Sequence, residues 1–108
     1  MTVWAIRQVR FDGYAPEHSD AAATAWQFTA TAGERHYSVY LQVANRVLRQ
    51  FGRIPPQSPP PPELVPRLEA YVKKRLEQPW VYDRHPRSLA GVILTLTTRA
   101  EWQELMEG

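Results

Sequence analysis

Apolar and polar residues alternate in two successive stretches of the chain. In residues 23–31, ATAWQFTAT, Trp26, Phe28 and Ala30 share one side, with Gln27 and Thr29 on the other. In residues 36–41, HYSVYL, Tyr37, Val39 and Leu41 oppose His36, Ser38 and Tyr40. A period of two is that of a strand with one buried face. The AGER between them supplies a Gly for a tight loop, so the pair predicts a β-hairpin. Upstream, TVWAIRQVRF (2–11) is β-branched and aromatic and predicts a first strand; DGYAPEHSD (12–20) has loop composition.

The period then lengthens. Val43, Val47, Leu48 and Phe51 fall on one helical stripe, with Asn45, Arg46, Arg49 and Gln50 outside it. Gly52 stands where a left-handed glycine would end that helix. RIPPQSPPPP (53–62) suits neither helix nor central strand, because proline lacks an N–H and restricts the residue before it. It predicts a stiff extended strap along the domain surface, the alternative being a ligand for an aromatic-lined groove. Pro66 is tolerated at a first helical position, which predicts a helix from about Pro66 to Gln78 with Leu68, Tyr71, Val72 and Leu76 inward. Glu69 precedes Lys73 by four residues, the favourable order for a helical ion pair. AGVILTLTT (90–98) predicts a buried strand with Val92, Leu94 and Leu96 on one side. Thr98 and Glu101 have capping-box spacing and open a terminal helix striped by Trp102, Leu105 and Met106.

These elements predict an α+β fold: one small domain over residues 1–108, with a proline-rich internal connection at 53–62. The expected sheet is antiparallel, of about four strands, in the order β-β-β-α-α-β-α with helices mainly on one face. With 108 residues, 44% of them hydrophobic, the chain can fill one core, and its small size makes a homo-oligomer a reasonable expectation.

Composition narrows the chemistry. The absence of cysteine excludes disulfides, thiolate catalysis and Cys-based zinc sites. MTVWAIRQVRF has no basic leader, and no window approaches roughly 18 apolar residues, so the expectation is a soluble, cytoplasmic protein without membrane contact. Arg outnumbers Lys and Ala and Pro are abundant, a bias common in GC-rich bacterial genomes. The five glycines form no phosphate-binding loop, and there is no HExxH, so no cofactor is expected. His18, His36 and His85 lack the short spacing of a metal site, and no metal is expected either.

Charge is distributed unevenly. The net +2 conceals a basic middle: residues 35–87 hold ten basic side chains against four carboxylates, between two acidic ends. Arg46 and Arg49 lie on or near the first helix, and Lys73 and Lys74 near the end of the second. Trp80, Tyr82, Arg84, His85 and Arg87 follow within WVYDRHPRS. Guanidinium groups suit phosphates and aromatic rings can stack bases, so these nine residues form a candidate anion or nucleic-acid contact surface. Residues of the type of Trp80 and Tyr82 are more often core anchors than stacking platforms. The leading expectation is a non-enzymatic binding or accessory module whose partner is protein or nucleic acid. The alternative is a metal-independent ribonuclease-like hydrolase, with His36 and His85 sharing the two proton transfers beside Arg84 or Arg87.

Overall fold

The computed structural model describes residues 5–78 and 91–107. Within them a four-stranded sheet runs in the order β1 (Ile6–Tyr14), β2 (Ala23–Ala32), β3 (Arg35–Ala44) and β4 (Val92–Leu96). The alternation read from the sequence sets its two faces. Phe11, Phe28, Val39 and Val92 form one row across the sheet; Tyr14, Trp26, Leu41 and Leu94 form the next. Most of these side chains are fully buried, and Phe11 meets Phe28 edge to face. Gly33 opens the two-residue β2–β3 loop with φ 63°, at the position a tight hairpin reserves for glycine.

The sheet is mixed rather than wholly antiparallel. β1, β2 and β3 form an antiparallel meander, whereas β4 pairs parallel to β3, with Leu94 beside Leu41. Hydrophobic alternation reports which face a residue occupies and carries no information on strand direction. Direction follows from the connection: a long crossover through a helix returns the chain to the end where β3 began.

That helix is α2 (Val65–Leu76), entered through a 3₁₀ turn at Pro62–Leu64, with Pro66 in its first turn. Leu68, Val72 and Leu76 join Trp26, Phe28, Leu41 and Leu94 in one core cluster. Glu69 does not pair with Lys73. Its carboxylate accepts the Phe11 amide at 2.8 Å, and Lys73 lies 3.6 Å from Glu77 instead. β1 is an edge strand, and an outward-facing amide there needs an acceptor from outside the sheet.

The helix predicted over 43–51 is shorter and ends in a wider turn. Val43 belongs to β3, because its position fits the strand period after Leu41 as well as the helical period before Val47. The helix α1 is one turn, Asn45–Val47, followed by a π-helical turn at Leu48–Gly52. The left-handed residue that ends it is Arg53 (φ 53°), not Gly52. The terminal helix α3 (Arg99–Glu107) opens as expected: Thr98 Oγ accepts from Glu101 N at 3.1 Å and donates to the Glu101 carboxylate at 3.0 Å.

The proline-rich segment lies against its own sheet. Gln57 takes a left-handed conformation (φ 58°), so its amide donates to Thr24 Oγ at 2.9 Å while its side chain bonds the carbonyls of Asp20 and Ala23. The Trp26 indole donates to the Ser58 carbonyl at 2.9 Å. Thr24 in turn donates to Asn45 at 2.7 Å, and Asn45 donates to the Ala21 carbonyl. Both side chains are buried, and this satisfied polar cluster anchors the strap.

Candidate binding site

The described members of the predicted basic surface are held in different ways. Arg46 donates to the Thr97 carbonyl at 2.7 Å, joining α1 to the start of α3. Lys73 is near Glu77, and Lys74 lies 2.9 Å from Glu104 of α3. Arg75 sits on Glu101 at 3.2 Å and donates to the Tyr71 hydroxyl at 2.7 Å. Burial raises the Tyr71 phenol above its ordinary pKa, with the Arg75 charge acting in the opposite direction. The end of α2 therefore meets α3 through matched charges, and Lys73 and Lys74 each have a carboxylate of their own chain within 4 Å. Trp80, Tyr82, Arg84, His85 and Arg87 lie outside the described residues, so the His36–His85 pairing lies outside them too. His36 stands on β3 with Nδ1 3.0 Å from Thr31 Oγ. His18 stacks on Tyr40 with centroids 3.7 Å apart. Four residue steps along β3 take the chain from His36 to Tyr40, roughly 13 Å. Among the described residues, no group of three or more His, Cys, Asp or Glu could hold a metal ion.

Arg49 is the exception in that set. It is exposed on the π-helical turn and, like Arg53, makes no ion pair among the described residues. Between them stands Phe51, a large apolar side chain left 39% exposed. Arg99 lies over its ring, the guanidinium carbon 5.7 Å from the centroid.

Phe51 forms one wall of a cavity of about 250 Å³. Trp102 and Met106 of α3 make the opposite wall, and Ile54, Pro61 and Leu64 come from the strap and the entry to α2. Glu63 and Arg67 bring the charged groups to it. Gly52 lets the walls approach: a Cβ there would stand 2.8 Å from Trp102 Cζ2 and 3.0 Å from Cη2. The glycine is thus needed for space rather than for backbone conformation. Arg67 also donates to the Met106 carbonyl, closing the last turn of α3.

The cavity is smaller than the roughly 300–1,000 Å³ of ordinary small-molecule sites. Its volume suits one large side chain. Its lining contains one carboxylate and one guanidinium, but no imidazole, hydroxyl or amide side chain. The sequence reading missed it because it placed Phe51 and Met106 on buried stripes, whereas both are partly exposed at the mouth.

The open sheet face differs in character. Gln27, Thr29, Ser38, Tyr40 and Gln42 occupy it, Thr29 donates to Asp12, and Arg10 is paired with the same carboxylate. Its exposed apolar residue is Ile93, at 45%. No helix among the described residues is long and apolar enough to cross a membrane. The chain matches no known family model, no curated protein and no solved structure.

Proposed function

We propose that this protein is a non-enzymatic binding module that captures a partner protein through the pocket between Phe51 and Trp102. The observation that carries this reading is an apolar cavity of single-side-chain size, walled by partly exposed Phe51 and Met106, with arginines around it. Large apolar side chains exposed beside a preformed hollow are the anatomy of a hot-spot pocket, where one anchor supplies most of the binding energy. A protein partner is favoured over nucleic acid because the lysines of α2 already face carboxylates of their own chain. Among the described residues, the polar sheet face offers one tyrosine ring, Tyr40, and His18 stacks on it.

Panning of a phage-displayed random dodecapeptide library tests the reading. Wild-type protein should enrich peptides sharing one aromatic or large aliphatic residue, and the enriched peptides should fail to bind Phe51→Ala. Enrichment of no peptide that depends on Phe51 would refute the proposal, provided circular dichroism shows the variant folded.

A further inference from the structure

We infer that the segment this pocket takes is acidic: one large apolar side chain flanked by Asp or Glu. The inference rests on the binding reading above and adds the partner's chemistry. The cavity size limits the buried anchor to one side chain. What surrounds the mouth is mostly cationic. Arg67 lines the wall, Arg99 lies over the Phe51 ring, and Arg53 stands exposed between the lining residues Gly52 and Ile54. Against these three stands the carboxylate of Glu63. Of the three acidic side chains of α3, Glu101 and Glu104 are engaged on the α2 side, by Arg75 and Lys74, which leaves Glu107, next to Met106, as the second carboxylate beside three arginines.

Guanidinium groups hold carboxylates in bidentate pairs, and rim charges of one sign select partners of the other. A polyphosphate chain would also be attracted, yet it has no apolar anchor for the cavity. Base stacking on Phe51 would compete with Arg99, which already lies over that ring. An acidic peptide satisfies both halves of the site.

The test uses four degenerate pools of fluorescein-labelled nine-residue peptides, read by anisotropy. Three have a central Phe with flanks randomised among acidic, neutral polar or basic residues; the fourth has acidic flanks and a central Ala. The acidic Phe pool should bind about tenfold or more tighter than the neutral Phe pool and the acidic Ala pool, the scale expected of a hot-spot group. Its affinity should fall with added salt. Arg99→Glu should weaken the acidic pool about tenfold more than it weakens the neutral pool, since both pools share the Phe51 wall and only one carries opposite charge; a Glu in the first turn of α3 favours the helix dipole, so folding is retained. Equal, Phe51-dependent binding of all three Phe pools would overturn the acidic preference while leaving the docking reading intact. Binding of none of them would overturn both. A mixed-sequence oligonucleotide that binds more tightly and displaces the acidic pool would reassign the site to nucleic acid.

Discussion

Gly52→Ala is a substitution whose sign the geometry decides. In a helical turn with ordinary φ, Gly→Ala normally stabilises by about 0.4–1 kcal/mol, because the unfolded chain loses freedom. Here the new Cβ would meet Trp102 Cζ2 at 2.8 Å and Cη2 at 3.0 Å, with Ile54 Cδ1 at 3.3 Å. Ile54 can turn its terminal methyl aside. Trp102 cannot: its ring is rigid, 5% exposed and fixed in the core cluster. Overpacking of this kind costs about 1–3 kcal/mol. After the favourable term is deducted, a net loss of about 0.5–2 kcal/mol remains, seen as a fall in Tm of several degrees for a domain of this size. Trp102→Phe removes the outer ring that carries both clashing carbons. In that background Gly52→Ala should revert to stabilising, giving a coupling of about 1–3 kcal/mol between the two sites. Urea denaturation of the four proteins in the cycle measures it. A stabilising Gly52→Ala in the wild-type background, or an equal cost in both backgrounds, would refute the close approach that shapes the pocket.

Three further predictions concern the frame around the site. Leu94→Ala, at a fully buried position beside Leu41, should cost about 2–5 kcal/mol in urea unfolding; a loss of a few tenths would mean that β4 is misassigned. Thr24→Val strips the Gln57 amide of its acceptor and Asn45 Oδ1 of its donor, each left unsatisfied at about 1–3 kcal/mol. Hydrogen exchange at Gln57 should accelerate well before exchange in the sheet, and unchanged protection would contradict the anchoring of the strap. The raised Tyr71 pKa means that the folded state holds the phenol proton more tightly than the unfolded chain. Its contribution is fully present below pH 10.0 and is lost as pH rises from there through the folded-state value. Urea midpoints followed across that range should therefore fall less steeply for Tyr71→Phe than for wild type, and parallel curves would rule the linkage out.

The sheet was legible because burial of one face imposes a period of two, which Trp26, Phe28, Val39, Leu41, Leu94 and Leu96 all obey. The capping box at Thr98 was legible for the same local reason: both of its partners lie within four residues. Features set by distant residues were not. Glu69 could equally serve Lys73 or an edge amide, and only the placement of β1 beside α2 selects Phe11. Gly52 read as a helix terminator because sequence spacing does not reveal that a ring from residue 102 will rest on it. The pocket escaped notice because apolar residues at helical spacing imply burial, and Phe51 and Met106 are left partly exposed where the strap and α3 diverge. Lys74 and Arg75 looked like a free basic surface because the carboxylates that meet them, Glu104 and Glu101, come from α3, some thirty residues later, whereas the Glu77 beside Lys73 is only four residues away.

The central claim is that binding occurs at the pocket between the π-helical turn and α3. It is tested most directly by a ¹⁵N–¹H NMR titration with the acidic, Phe-centred peptide pool. The backbone amides of Phe51, Gly52, Ile54 and Leu64 and the Trp102 indole should shift together in one saturable process, while Thr29, Ser38 and Tyr40 on the open sheet face stay in place. Shifts confined to the sheet face, or none at saturating peptide, would contradict it.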